Sequence, residues 1–404
     1  MGNTQSPEEN DYVIRVIDSP LWVDATQWDT LLGAQTNATP FMQHAYLAAL
    51  HTSGCATPDT GWSPHFVLLE QQGQLAGACA LYLKTHSRGE YVFDQGWARA
   101  YAQHGLAYYP KAVVAVPFTP VPGARLLART AHERALLAQA VVRWCESVGL
   151  SGVHCLFAND DDLLACDQAG MMQRHTVQFH WQNSVPGYAD FDDFLASLAQ
   201  DKRKKIRQER RKVHEAGVRF RHAQGRDIGS ADWDFFYQCY ERTYLEHGNA
   251  PYLNRAFFAD MAAHMPDAWL LFTAERNGQP IATSLIAVNP SAIWARGQKH
   301  HETFERVAYG RYWGALERVD CLHFEACYYQ PLAWCMANGY SRFEGGAQGE
   351  HKLARALLPV QTTSAHWLAH RGFAGAVQDF LNAEGQDVAQ YVTELQHHSP
   401  FKSG

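Results

Sequence analysis

One short pattern occurs twice in this chain. Trp144-Cys145 is followed by Gly149 and Ser151, and Trp334-Cys335 by Gly339 and Ser341, the same W-C-x-x-x-G-x-S spacing 190 residues further on. Each copy closes a stretch with helical spacing and leads into a short strand-like run, Val153-His154-Cys155-Leu156-Phe157 in the first and Arg342-Phe343-Glu344 in the second. The glycine falls where a helix ends in a left-handed residue, which glycine adopts without a Cβ penalty. A second landmark lies upstream of each copy. Phe66-Val67-Leu68-Leu69-Glu70-Gln71-Gln72-Gly73-Gln74-Leu75-Ala76 and Leu271-Phe272-Thr273-Ala274-Glu275-Arg276-Asn277-Gly278-Gln279-Pro280-Ile281-Ala282 both read as strand, tight turn, strand. Glu and Gly-Gln sit at matching offsets, 205 residues apart. The turn glycine can supply the positive φ of a two-residue hairpin. Two landmarks in one order point to a duplicated α/β unit; the alternative is two unrelated hairpins and a coincidence.

The order within each copy is helix, hairpin, further strand, helix, strand. In the first copy the pattern predicts a helix over 41–51, strands over 66–83, 90–93 and 112–117, a helix over 133–148 and a strand over 153–157. In the second it predicts helices over 233–247 and 255–264, strands over 269–288, 292–297 and 309–316, and a helix over 323–338. Antiparallel strands followed by a β-helix-β crossover describe an α/β protein with mixed sheets. Pro186-Gly187 punctuates the chain and sets domains over 12–183 and 190–400. The length, 404 residues, suits two domains, and 47% hydrophobic with 19% charged residues excludes disordered, collagen and coiled-coil classes.

The net charge of −7 excludes a general polyanion binder, so any contact with phosphate must be local. Nine cysteines without a C-x-x-C pair, mostly in apolar surroundings, read as reduced buried thiols. The polar, acidic residues 1–11 lack the apolar core of a signal peptide, and no run reaches the ~18 apolar residues of a membrane span. The expectation is a cytoplasmic protein.

Three stretches carry candidate chemistry. The first runs from Lys111 through Pro117-Phe118-Thr119-Pro120-Val121-Pro122-Gly123-Ala124 to Arg125. Proline donates nothing to a ladder, so the sheet ends here. The N–H groups of Phe118, Thr119, Gly123 and Ala124, with Arg125, can cradle an anion; the alternative is a stiff connector. The second is Lys202-Arg203-Lys204-Lys205-Ile206-Arg207-Gln208-Glu209-Arg210-Arg211-Lys212, eight basic residues in eleven. It reads as a solvated helix or as a landing site for a polyanion: tRNA, a nucleotide diphosphate or the phosphates of coenzyme A. The third is Phe343-Glu344-Gly345-Gly346-Ala347-Gln348-Gly349-Glu350-His351-Lys352, where a strand delivers a carboxylate into a glycine-rich loop. That arrangement suits acid–base or binding work; a polar turn is the alternative. His323 and Glu325 open the last long helical pattern and can cap it or meet a ligand at its positive end. His300-His301-Glu302 lacks the H-E-x-x-H spacing, and no metal is expected.

Tyr108-Tyr109-Pro110-Lys111, Val116-Pro117-Phe118-Thr119-Pro120-Val121, His323-Phe324-Glu325-x-Cys327-Tyr328-Tyr329-Gln330, Gly346-Ala347-Gln348-Gly349-Glu350-His351-Lys352-Leu353-Ala354-Arg355 and Ser364-Ala365-His366-Trp367 together resemble the FemAB-like bacterial proteins. These are GNAT-superfamily N-acyltransferases associated with peptidoglycan biosynthesis, and the likeness runs over residues 40–401. It implies two tandem GNAT-like domains of the Fem type, the second opening with the basic segment. The acetyltransferase pattern [QR]-x-x-G-x-[GA] follows neither candidate strand, and no long helical hairpin is evident.

The resemblance implies acyl or aminoacyl transfer from coenzyme A thioester or aminoacyl-tRNA to a small-molecule or peptide amine. Glu344 is the expected base, with His351 as second candidate. Lys111, Arg125 and Lys352 are expected to hold anionic groups, with Phe118, Thr119, His323, Glu325 and Gln348 lining the substrate. Two alternatives stand beside it: an aminoacyl-tRNA-dependent ligase acting on a peptidoglycan precursor, and a non-enzymatic binding protein on a GNAT scaffold.

Overall fold

The computed structural model describes residues 12–289, 305–347 and 349–402. The chain forms two compact units, one taking residues up to Arg174 and 363–381, the other 175–362 and the residues from Asn382 on. The strands of the first unit are β1 (Tyr12–Ile17), β2 (Trp62–Pro64), β3 (Phe66–Gln71), β4 (Gln74–Cys79), β5 (Leu81–Lys84), β6 (Lys111–Val114), β7 (Leu127–Ala128) and β8 (Gly152–Ala158). Strands β1, β3, β4 and β7 make an antiparallel sheet in that order. A second sheet runs β2-β5-β6-β8, in which only β6 and β8 are parallel. The second unit holds β9 (Met172–Gln182), β10 (Val218–Gln224), β11 (Trp269–Arg276), β12 (Gln279–Val288), β13 (Val307–Ala315) and β14 (Arg342–Ala347). Their order is β10-β11-β12-β13-β14-β9, and only β13 and β14 are parallel. The last strand, β15 (Leu358–Leu368), gives its first residues to the second unit and the rest to the first, where it pairs with β8.

Both repeated landmarks do the same work in each unit. The β3–β4 turn holds Gln72 and Gly73 at φ 52° and 76°, and the β11–β12 turn holds Asn277 and Gly278 at 54° and 73°. Two positive φ values mark the turn whose twist matches a hairpin. After the helix Ala131–Ser147, Leu150 N–H bonds Cys145 O at 3.0 Å and Gly149 N–H bonds Glu146 O at 3.1 Å. After the helix Gln330–Ala337, Tyr340 N–H bonds Cys335 O at 2.8 Å and Gly339 N–H bonds Met336 O at 3.3 Å. These are the paired bonds of a Schellman stop. The serine then ties down the neighbouring parallel strand: Ser151 Oγ donates to Tyr108 O just before β6, and Ser341 Oγ to Arg306 O just before β13.

The helix expected over 323–338 is irregular. A turn at Leu322–Phe324 passes into a π-turn, Glu325–Tyr329, before the regular helix begins. Pro331 has no N–H to return to the carbonyl of Cys327, so the turn widens there. The strand expected over 90–93 is a loop, because Glu90 turns inward to Lys111. The strand expected over 112–117 ends at Val114, and that expected over 292–297 lies outside the described residues. Strands β1, β9 and β15 and the helix Arg371–His397 had no counterpart in the sequence reading. Neither unit is a contiguous block, so the division at 183–190 is not the division of contacts.

Each unit has its own core, around Leu69, Leu81, Val114, Leu137 and Val153 in the first and Phe179, Trp181, Phe272, Leu332 and Phe343 in the second. All nine cysteines are free thiols. Beside the first core lies a buried polar chain. Lys111 is ion-paired with Glu90 at 2.7 Å and with Asp94. Tyr108 OH donates to Asp94 Oδ2 at 2.6 Å and meets His154 Nε2 at 3.2 Å, and His154 Nδ1 lies 2.8 Å from His366 Nδ1. Burial holds His366 down to about 3 and His154 well below the usual imidazole range. A lowered imidazole pKa gives stability that is full above the unfolded value of about 6.5 and is lost as pH falls. His366→Gln should therefore close part of its stability gap to the wild type on going from pH 7 to pH 5, by about 2 kcal/mol, as read by urea unfolding at the two pH values.

Candidate functional site

Strand β14 makes the site. It pairs with β13 in parallel for three registers, Val307 with Arg342, Ala308 with Phe343 and Tyr309 with Glu344. On its other side it pairs antiparallel with β9, Glu344 facing His180, and the next matched pair is Ala347 with Gln178. Three steps on β14 answer two on β9, which is a bulge at Gly345-Gly346. Gly346 has φ 75°, the left-handed geometry such a bulge needs. At Gly345 a Cβ would lie 2.3 Å from Leu357 Cδ2 and 3.0 Å from Phe179 O.

The strand pleat sorts the side chains. Phe343 goes into the core with Trp181 and Leu332. Residues opposite one another share a face, so Glu344 joins His180 and Tyr309. Glu344 is 4% exposed, His180 7% and Tyr309 2%, and so much buried polarity on one face is costly unless it is answered. Glu344 Oε1 lies 3.2 Å from Arg342 Nε, and Oε2 lies 3.9 Å from His180 Nε2. His180 Nε2 is 3.3 Å from Gln178 Oε1. Burial, with Arg342 and Lys352 nearby, brings His180 down to about 3, so its ring is neutral at physiological pH. Burial and the charge of Glu344 push the Tyr309 phenol well up, so it stays protonated. The arrangement is a buried acid beside a neutral imidazole where two parallel strands part.

The other residues of the third stretch support this strand end. Lys352 Nζ donates to Gly345 O at 2.7 Å and Gly346 O at 3.1 Å, and burial lowers its ammonium to about 8. Lys352 therefore braces the bulge and does not stand in solvent as an anion holder. His351 Nε2 lies 3.3 Å from Tyr328 OH. His323 packs edge-on against Trp313 and Tyr328, and burial brings it down to about 4. Glu325 takes Arg210 Nε at 3.2 Å and Gln330 Nε2 at 2.7 Å, so it anchors the basic helix and does not cap its own. Gln348 lies outside the described residues.

The anion cradle expected in the first unit is closed. Phe118 N–H bonds Gly89 O at 3.2 Å, Thr119 N–H Val116 O at 3.3 Å, Gly123 N–H Phe157 O at 3.0 Å and Ala124 N–H Asn37 O at 3.2 Å. Thr119 Oγ1 donates to Pro117 O at 2.9 Å. Buried Arg125 donates to the carbonyls of Leu156, at 2.9 Å, and Val121. Lys111 is held by its two carboxylates. The prolines end the sheet, and neighbouring carbonyls then take the remaining donors. Lys111, Phe118, Thr119 and Arg125 are thus corrected to structural roles in this geometry.

The basic run forms the helix Gln200–Glu215, with Ile206, Glu209 and Val213 buried. Crevices along its outer side are lined by Arg203, Lys204, Arg207 and Arg211 and, beside β10, by Arg210, His214 and Arg219.

The sequence matches the FemAB-like family, described as peptidoglycan biosynthesis/recognition, over residues 21–403. The chain belongs to the FemAB-like family. No curated protein matches it by sequence. Its fold is shared with FemX, at 8% identity and TM-score 0.51, covering 90% of this chain and 100% of FemX. It is shared also with the C-terminal DUF2156 domain of a protein assigned as a lysylphosphatidylglycerol synthetase from Agrobacterium fabrum, at 9% identity and TM-score 0.52, covering 88% and 96%. A tandem GNAT protein from the clavulanic acid biosynthesis pathway superposes at 11% identity and TM-score 0.44, covering 89% and 99%. The FemAB-like chain thus has a mixed α/β fold that it shares with FemX. Among the described residues no helix is long and apolar enough to cross a membrane, and no group of three or more His, Cys, Asp or Glu is gathered as metal ligands.

In this FemAB-like chain the structure adds Gln178, His180, Arg342 and Tyr309 to the surroundings of Glu344. The alternation Gln178-Phe179-His180-Trp181-Gln182 is a strand signal at period two, and it was legible. Its pairing with Glu344 was not, because nothing local fixes which strand lies alongside. Gly345→Ala should cost about 1–3 kcal/mol by overpacking, read by thermal unfolding, and its cost should be smaller when measured in a Leu357→Ala background.

Proposed function

We propose that this FemAB-like protein transfers an acyl or aminoacyl group from an activated carrier to an amine, with Glu344 as the base. The family description, peptidoglycan biosynthesis/recognition, and the resemblance to N-acyltransferases support this reaction class. The observation that carries the assignment of the base is the buried carboxylate at the parting of β13 and β14, beside a His180 that burial keeps neutral.

An amine at neutral pH arrives largely protonated, and it attacks only as the free base. Glu344 takes that proton, directly or through one water. The amine nitrogen then bonds the carbonyl carbon, and the carbonyl oxygen carries the charge of the tetrahedral intermediate. Backbone N–H groups at the strand bulge would answer that charge. The intermediate collapses by breaking the bond to the carrier: the nitrogen's second proton goes to the departing oxygen or sulfur, and Glu344 returns the first to solvent. Neutral His180 and protonated Tyr309 flank Glu344 from the two neighbouring strands.

A finer reading concerns the carrier. Coenzyme A needs a diphosphate cradle, and the loop after β13 carries Glu317, held by Arg276, and Asp320, 3.4 Å from Lys212. Two acids there oppose a diphosphate, and the corresponding loop of the first unit has its N–H groups committed to carbonyls. The outer side of the basic helix favours a polyanion such as aminoacyl-tRNA. Its pairs to Asp192 and Glu215, each 3.7 Å and exposed, are weak competitors for such a ligand. A peptide amine of a peptidoglycan precursor is the acceptor that the family description suggests.

Glu344→Gln should lower turnover at least ~100-fold with thermal unfolding near that of the wild type, measured as transfer from a mixed charged-tRNA pool to a peptide amine. Wild-type turnover in that variant would remove Glu344 from the role. Replacing Arg203, Arg207 and Arg211 together by Gln should weaken tRNA binding and flatten its logarithmic salt dependence by about 2–3 units, while coenzyme A should shift the melting temperature of neither protein. A coenzyme A shift without a tRNA effect would reverse the carrier assignment.

A further inference from the structure

The basic helix buries an acid. Glu209 lies between Ile206 and Val213 on the inner face of Gln200–Glu215, and a carboxylate out of water is unstable unless donors answer it. Arg355 Nη2 donates to both Glu209 oxygens, at 2.8 and 2.9 Å, and Tyr329 OH donates to one of them. Arg355 is 2% exposed; its guanidinium lies over the Phe324 ring, 3.5 Å from the centroid, and its Nη1 donates to His351 O at 2.6 Å.

Arg355 and Lys352 belong to one turn, Glu350–Arg355. Its two cations reach in different directions. Arg355 grips the basic helix, and Lys352 grips the carbonyls of Gly345 and Gly346, directly after Glu344. The path from helix to strand end is thus Glu209, Arg355, the turn, Lys352, the bulge and Glu344. We propose that Glu209 and Arg355 are positioning residues, a strut that fixes the Glu344 strand end against the helix. What the strand end does rests on the transfer reading above; the strut itself rests on geometry.

Docking of the helix does not depend on this pair. Ile206 and Val213 are buried, and Arg210 holds Glu325. Removing the Glu209 charge should therefore release the turn and the bulge while the helix stays in place. An exposed pair such as Arg242–Glu246, both ends about half exposed, contributes little and makes a control.

The experiment is hydrogen exchange on the free full-length protein, with kinetics alongside, for wild type, Glu209→Gln, Arg355→Lys and the control Glu246→Gln. Lysine keeps the charge of Arg355 but cannot reach both the carboxylate and His351 O. In both strut variants the amides of residues 345–356 should exchange about tenfold faster or more, while β11 and β12 keep wild-type rates and Glu246→Gln changes neither. Turnover should fall about tenfold or more, with KM for the carrier within about twofold. Unchanged exchange over 345–356 in both variants would overturn the strut. So would a rise spread evenly over the second unit, which marks a general loss of stability. If the wild type transfers nothing, the transfer reading fails, and the exchange pattern still decides the strut.

Discussion

Glu344 is a carboxylate held out of water where two parallel strands separate, and the polar side chains of the second unit are disposed around it. An acid in a low-dielectric interior is expelled, protonated or answered by cations and dipoles. Here Arg342, two residues earlier on the same strand, answers it. His180 faces it from β9 but stays neutral, because burial and the cations of Arg342 and Lys352 make a second proton on its ring costly. Tyr309 faces it from β13 and keeps its proton for the complementary reason. A single acid among groups that decline to exchange protons with it is well suited to exchanging one with a ligand.

The same scaffold carries a different result in the first unit. It too has one parallel pair, β6 and β8, fed by a helix that ends in the same Schellman stop and tied by the equivalent serine. Its strand starts at a lysine, and the loop ahead of it folds two carboxylates, Glu90 and Asp94, onto that lysine. The loop that follows turns its N–H groups to carbonyls of the chain. Charges that satisfy one another leave little for a ligand. The two units therefore share what stops the helices and pins the strands, and they differ in chemistry at the strand ends.

The sequence was most legible where structure is local. Helix stops, hairpin turns and the serine ties each depend on residues a few positions apart, so Gly149, Gly339, Gly73 and Gly278 could be read directly. It was least legible where a donor had a choice of partners. The N–H groups of Phe118 and Gly123 are as suited to a phosphate as to a carbonyl, and only the approach of Gly89 and Phe157 decides. Glu325 likewise reads as a helix-end acid until Arg210 is found beside it. Pro331 was visible, but that it would widen the turn before it required knowing that the helix continues through it.

Two repeated landmarks, a strand that ends in an acid and two glycines, and a helix rich in basic residues are determined by the sequence, since each depends on the order and spacing of neighbouring residues. That Glu344 lies against His180, that Lys352 serves the bulge, and that Glu209 and Arg355 find each other across 146 positions are decided by tertiary structure alone. Sheet order and helix docking bring distant segments together through burial of apolar faces, and burial fixes which polar groups must then satisfy one another.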